Sequence, residues 1–195
     1  MSFKKETNNQ KNLSDSDLQW HEELIEGCKR RDRVAQTKLY GLYADAMYNI
    51  AYRIVGNTHD AEDVLVRAFT DVFRAIDSYD RRATPGAWIK RIVVNRAITT
   101  IKKRRNAVLL TAEVPDQAEE MIHQSDIDFD LSELKKCMSE LAEGYKTVLT
   151  LYLIEGYDHG EIAQILGITE ATSKSQYSRA KKKLRELILQ TQMVK

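Results

Sequence analysis

Apolar residues recur every three or four positions through most of the chain, and no stretch alternates apolar and polar positions over a strand's length. The pattern predicts a first helix from Leu18 to about Arg31, with Leu18, Leu24, Ile25 and Cys28 on one face. A second runs from Val34 to Val55 on a stripe of Leu39, Leu42, Tyr43, Met47, Ile50 and Ile54, and Gly56 and Asn57 end it. Thr58 can cap a third helix, whose first turn carries Asp60, Glu62 and Asp63 where the helix dipole favours acids. Its apolar face is Ala61, Val64, Leu65, Ala68, Phe69, Val72 and Ile76. After a loop at Ser78–Ala83, Thr84 can cap a fourth helix with Pro85 at its first position, continuing to Arg105. The periodicity then fails over residues 106–130, which contain Pro115 and read as a linker. Helices resume at Leu131–Leu141 and Lys146–Glu155. Asp158 and Glu161 have capping-box spacing for a short helix to Leu166, and Thr169 can cap a last helix to Leu189.

The expected fold class is therefore all-α, with two small helical domains joined by a flexible acidic linker and a helix-turn-helix in the C-terminal domain. The boundaries are a disordered tail at 1–17, domains at 18–105 and 131–189, a linker at 106–130 and a short tail at 190–195. A flexible span of this length reaches roughly 25–30 Å, so the domains are expected to be mobile relative to one another without partners.

A net charge of +1 conceals an uneven distribution. Arg81, Arg82, Lys90, Arg91, Arg96 and the run Lys102–Arg105 form a basic block with Asp80 as its one acid. Residues 106–133 hold acids and no Lys or Arg, and the segment from Thr169 is basic again. Two basic blocks around an acidic stretch fit two surfaces that contact a polyanion.

The C-terminal block follows Glu161-Ile162-Ala163-Gln164-Ile165-Leu166-Gly167-Ile168-Thr169, a helix-turn-helix pattern. Ala163 is small where two helices cross, Gly167 can take the left-handed conformation at the first helix's end, and Ile162, Leu166 and Ile168 are expected in the shared core. The second helix buries Tyr177, Ala180, Leu184 and Leu187. Its opposite face carries Lys174, Ser175, Ser178, Arg179, Lys181 and Lys182, side chains that reach phosphates and base edges from a major groove.

Together with Ala171-Thr172-Ser173-Lys174-Ser175-Gln176 and Arg179-Ala180-Lys181-Lys182-Lys183-Leu184, this segment resembles the DNA-binding region of bacterial alternative sigma factors of the extracytoplasmic-function (group IV) type. Asp60-Ala61-Glu62-Asp63-Val64 is similar to that family's acidic second-helix motif, and Ala87-Trp88-Ile89 with Arg91, Ile92 and Asn95 to its promoter-melting helix. The resemblance runs in the family's order over nearly all of Leu18–Leu189.

It implies an alternative sigma factor that gives RNA polymerase its promoter recognition, starts transcription of a specific regulon and catalyses nothing itself. The N-terminal domain would bind the clamp helices of the largest subunit and open the −10 element. The C-terminal domain would bind the flap of the second-largest subunit and read the −35 element. The linker would pass near the RNA exit route, with its acids mimicking nucleic acid. The resemblance implies −35 contacts from Thr172, Lys174, Ser175, Ser178, Arg179 and Lys182. It implies −10 contacts from Tyr79, Arg81, Arg82, Arg91, Asn95, Thr99 and Lys102, and polymerase contacts from Asp60, Asp63, Val66 and Arg67. Melting requires an unstacked base to be trapped, and the loop Ser78–Ala83 is where the family holds one. Tyr79 can stack there or belong to the core, and Trp88 leans toward the core. An anti-sigma factor is the implied regulator.

Four positions depart from the family pattern. Thr99 replaces an acid or amide, Ser173 replaces a branched apolar residue, and Val66 and Arg67 stand where an amide and an acid meet the clamp helices. The last two leave open a regulator that binds DNA without polymerase. No convergent nucleophile, acid–base set, phosphate loop or metal-ligand spacing is present, so an enzyme, a cofactor and a bound metal are not expected. Cys28 and Cys137 read as reduced structural thiols. The polar N-terminus and the lack of an apolar run near membrane-spanning length give a cytoplasmic reading with no membrane insertion.

Overall fold

The computed structural model describes residues 15–108 and 131–193, and among them there are helices and turns but no strand. Helix α1 spans Asp15–Lys29, so it takes in three residues of the expected N-terminal tail. Helix α2, Arg33–Val55, starts at Asp32, whose carboxylate accepts a hydrogen bond from the Val34 amide. Between them Arg31 is left-handed at φ 62°, a conformation that costs a non-glycine residue about 1–2 kcal/mol. Its guanidinium offsets this by donating to the Phe73 carbonyl and pairing with Asp77 at 2.7 Å. A Cβ on Gly27 would lie 2.7 Å from the Ala35 Cβ, so α1 reaches α2 only because residue 27 has no side chain.

Helix α3, Thr58–Ala75, is capped by Asn57 rather than by Thr58. The Asn57 side chain accepts from the Asp60 amide at 2.8 Å, and Thr58 becomes the first helical residue. A 3-10 turn, Ile76–Ser78, leads into the loop, and helix α4 runs Pro85–Val108, with the Ala87 amide donating to Thr84 Oγ1. Helix α4 thus takes the first three residues of the expected linker. The remainder of that linker, residues 109–130, lies outside the described residues, as do residues 1–14 and 194–195.

Helices α2, α3 and α4 pack on one another. The core between them is Leu39, Met47, Ile50 and Ile54 from α2, Val64, Phe69 and Val72 from α3, and Ile89, Val93, Ile98 and Ile101 from α4. Each such apolar side chain contributes about 1.5–3 kcal/mol on burial, so this cluster is the main source of the unit's stability. Leu42 departs from the expected stripe and is exposed. Tyr79 belongs to this core: it is buried, tilts against Trp88 at 5.3 Å between centroids and donates its phenol to the Ala83 carbonyl. Of its two readings the structure has the core one, because that bond and the Trp88 contact hold the ring inward rather than facing a base.

The C-terminal unit comprises α5 (Leu131–Glu140), α6 (Glu143–Leu149), α7 (His159–Leu166) and α8 (Glu170–Met193). The single helix expected over Lys146–Glu155 is instead α6 followed by a π-helical turn at Thr150–Ile154, closed by a Glu155 N–H to Thr150 carbonyl bond of 2.9 Å. Both reciprocal bonds of the Asp158/Glu161 capping box are made. Gly167 is left-handed at φ 72°, and its amide and that of Ile168 both donate to the Ala163 carbonyl. Helix α8 is four residues longer than expected. Its own core is Leu141, Leu149 and Ala180, with Met138, Tyr145, Leu184 and Leu187 against it.

The two units are in contact, which the expectation of free domains did not include. Ile162, Ile165, Leu166 and Tyr157 join the N-terminal cluster rather than only the helix-turn-helix core, and α7 lies against α4.

Candidate nucleic-acid interface

On α8 the side chains predicted to read DNA fall on the solvent side of the helix-turn-helix. Lys174 and Ser178 are exposed, and Thr172, Ser175, Arg179 and Lys182 are half-buried beside them. Thr169 caps the helix: its hydroxyl accepts from the Thr172 amide at 3.0 Å and lies 2.8 Å from the Thr172 hydroxyl. Ser175 donates its hydroxyl hydrogen to the Thr172 carbonyl, and the oxygen keeps its capacity to accept. Lys174 pairs with Glu170 one turn earlier at 2.7 Å, and that carboxylate pushes the ammonium pKa up. Lys181 lies 4.6 Å from the Tyr177 ring centroid. The face is a row of cations and hydroxyls over a packed apolar floor, which suits phosphate contact and groove reading.

On α4, Arg91, Asn95, Thr99 and Lys102 are all exposed and follow one another at helical spacing. Thr99 donates its hydroxyl to the Asn95 backbone carbonyl, and Asn95 itself is exposed. Asn95 and Thr99 line a shallow cleft with Ile92, Arg96 and Asp71. Arg96 clamps Asp71 of α3, and the guanidinium holds that carboxyl below the usual carboxylate range. This ties the cleft's two walls together. In the preceding loop, Arg81 is left-handed at φ 63° and pairs with Glu26 at 3.0 Å. Arg82 is fully outward, with Asp80 Oδ2 3.1 Å from its Nε. Tyr79 is brought to the core, as described above, while Arg91, Asn95, Thr99 and Lys102 follow one another along the exposed side of α4 and Arg81 and Arg82 are exposed in the loop before it.

The residues expected to face polymerase divide. Val66 is 61% exposed, and Arg67 forms an exposed pair with Asp63 at 2.7 Å. Asp60 turns instead to Arg104 of α4 at 3.1 Å and to Asn57 at 2.8 Å.

The sequence reading did not single out Glu155, Arg53 or Lys90 as a group. Glu155 is buried at the unit boundary, where Arg53 and Lys90 from the N-terminal unit hold it. The available signal was an acid, Glu155, directly after the mostly apolar stretch Val148–Ile154, where burial would demand a cation. Among the described residues no group of His, Cys, Asp and Glu is placed to hold a metal ion, and no helix is long and apolar enough to cross a membrane.

Two families match the chain: Sigma-70 region 2 over residues 39–107, and Sigma-70, region 4 over residues 131–184. Among curated proteins it is similar to the ECF RNA polymerase sigma factor SigW of Bacillus subtilis, 30% identical over 174 residues that cover 83% of this chain and 93% of the relative. It is also 30% identical over 155 residues to the ECF RNA polymerase sigma factor SigE of Mycolicibacterium smegmatis, covering 75% of this chain and 58% of that relative. Two solved structures share the fold. The sigma factor RpoE in complex with the anti-sigma factor NepR from Bartonella quintana has a TM-score of 0.54 at 23% identity, covering 78% of this chain and 95% of that one. CnrH in complex with the cytosolic domain of CnrY has a TM-score of 0.52 at 22% identity, covering 86% and 96%. With regions 2 and 4 matched in order and a relative at this identity along most of both lengths, the chain belongs to the extracytoplasmic-function RNA polymerase sigma factors.

Proposed function

We propose that this chain binds core RNA polymerase, supplies its promoter recognition and itself catalyses no reaction. The observation that carries the residue-level reading is the pair of outward polar rows, Arg91-Asn95-Thr99-Lys102 on α4 and Lys174-Ser178-Lys182 on α8, each over a packed apolar base.

The helix-turn-helix is the −35 reader. Lys174 and Lys182 neutralise phosphates, Arg179 and the hydroxyls of Thr172, Ser175 and Ser178 address groove edges, and the flap of the second-largest subunit holds the unit in place. At the −10 element, Asn95 offers an amide that can bond both edges of a base, beside Thr99. Arg91, Lys102, Arg81 and Arg82 hold the displaced strand's phosphates. A base leaving the stack costs a few kcal/mol, which contacts in the loop at Ser78–Ala83 and on α4 must offset. Helix α3 docks on the clamp helices of the largest subunit through Asp63, Val66 and Arg67, with Asp60 at the edge.

The relatives solved with anti-sigma factors support a like regulator for this chain, one that covers the polymerase-binding faces in the cytoplasm until a signal releases them. Run-off transcription from a genomic promoter library, with purified core polymerase and the full chain, tests the reading. Specific start sites that depend on the chain are expected, and none would appear if it were a polymerase-independent regulator.

A further inference from the structure

The side chain of Glu155 is 2% exposed, and each of its oxygens is held by a cation from the N-terminal unit. Oε1 accepts from Arg53 Nε at 2.9 Å and Nη2 at 2.7 Å. Oε2 lies 3.0 Å from Lys90 Nζ, which also donates to the Glu155 carbonyl at 2.8 Å. The same ammonium is 5.4 Å from the Tyr157 ring centroid. Further along α4 toward its C-terminal end, Arg104 pairs with Glu143 of α6, and Lys102 Nζ is 3.7 Å from where a Cβ on Gly167 would stand. Seen from the N-terminal unit, Arg53 and Lys90 form a cradle with a two-pronged guanidinium on one oxygen and an ammonium on the next. That geometry fits a phosphate as well as it fits a carboxylate.

We propose that Arg53 and Lys90 are a binding site for a backbone phosphate of promoter DNA, and that Glu155 fills it as an internal surrogate while the two units are packed. The proposal rests on the promoter-reading function and adds to it a site and a closed state. Two promoter elements about 25 base pairs apart are separated by roughly 80 Å at 3.4 Å per pair. Units joined by ion pairs near 3 Å cannot touch both, so the packed form must open before a promoter is read. Opening withdraws Glu155 and bares the two cations when DNA is present to take them. A tethered carboxylate acts at an effective concentration in the millimolar range, so one free phosphate displaces it poorly. A polymer that engages many cations at once and releases counterions displaces it well.

The test uses the full chain as wild type, Glu155→Ala, Glu155→Gln, and Glu155→Ala combined with Arg53→Ala and Lys90→Ala. Circular dichroism checks the fold, small-angle scattering reads the packing, and anisotropy of a labelled duplex reads DNA binding across a salt series. Both single variants are expected to raise the radius of gyration and to bind the duplex about tenfold more tightly at low salt. Glu155→Gln keeps the volume and removes the charge, and it carries the test if the alanine form does not fold. The triple variant is expected to stay expanded, to lose the tenfold gain and to show a salt slope shallower by about 1–2. Expansion without a gain in affinity, or a gain that survives loss of both cations, overturns the phosphate site. Single variants that remain as compact as wild type overturn the closed state. Core-polymerase binding by the same proteins is measured separately: its absence in every form counts against the sigma-factor mechanism and leaves the scattering and duplex results to be read on their own.

Discussion

Ser173 on α8 and His159 at the start of α7 are joined by a hydrogen bond of 2.9 Å between Oγ and Nδ1, across the two helices of the helix-turn-helix. Ser173 is fully buried, and the His159 ring stacks on Tyr152 at 4.5 Å and meets Tyr177 edge-on at 5.5 Å. This accounts for the hydroxyl where the family carries a branched apolar residue: it satisfies a ring nitrogen that an apolar side chain would leave without this bond. Ser173→Ala is expected to cost about 0.5–1.5 kcal/mol, the worth of one such bond. Ser173→Val, closer to the family pattern, is expected to cost more, about 1–3 kcal/mol, because it loses the bond and also adds volume at a fully buried position. Urea unfolding of both variants checks the order, and a valine form as stable as wild type would show that the bond does not set the packing.

Lys174 and Arg179 are expected to act by different routes. Lys174 is a point charge, 60% exposed and paired at the surface with Glu170. Its replacement by alanine should weaken binding to all −35 sequences alike and lower the salt slope by about 1. Arg179 has the planar fork that bonds a guanine edge, so Arg179→Ala should cost about 1–3 kcal/mol at one base position and relax selectivity there. Binding measured against a set of single-base −35 variants separates the two patterns. Unchanged affinity and selectivity in both would remove α8 as the reader.

Acid sensitivity should be written partly in the Asp71–Arg96 clamp. The Arg96 hydrogen bond, with the charges of Arg96 and Arg74, holds the Asp71 carboxyl below its ordinary value. A group depressed in the folded state stabilises the fold fully above its unfolded pKa of about 3.9 and loses that contribution as pH falls through the lower folded value. The Asp71→Asn difference from wild type should therefore be constant from pH 7 to 5 and shrink toward pH 3. The pair is partly solvated, so the plateau should be no more than about 1 kcal/mol. Urea midpoints at three pH values measure it, and a difference that grows on acidification would contradict the clamp.

Most of the fold was legible because it depends on local chemistry. The αL turn at Gly167, the Asp158/Glu161 box, Pro85 opening α4 and the apolar face of α3 are each written in a few neighbouring residues. What was not legible depends on residues far apart. Tyr79 became a core residue through the Ala83 carbonyl and Trp88, although its position in a basic loop equally fits a stacking platform. Thr58 lost the cap to Asn57 because both are good caps and only the backbone angles choose between them. The Glu155 contact joins residues separated by 102 and 65 positions, and no periodicity encodes such a pairing.

Arg67 tests how the chain meets polymerase. Its guanidinium pairs with Asp63 at 2.7 Å, both are well exposed, and neither belongs to the buried Val64, Leu65, Ala68 and Phe69 face. Such an i,i+4 pair is worth a few tenths of a kcal/mol, and Arg67→Glu adds a like-charge contact of similar size, so the fold should tolerate it. The family pattern has an acid here, facing basic residues of the clamp helices, with an amide where Val66 offers an exposed apolar contact. Arg67→Glu should therefore strengthen binding to cognate core polymerase, mainly through faster association at low salt, with the gain fading as salt rises. Association rates at two salt concentrations for wild type and Arg67→Glu measure this. A slower rate would mean that this polymerase carries a compensating acid opposite residue 67, and the helix would still be the docking face. If neither form binds while circular dichroism shows the fold intact, α3 does not dock on polymerase, and the reading of the chain as a polymerase-independent DNA-binding regulator takes its place.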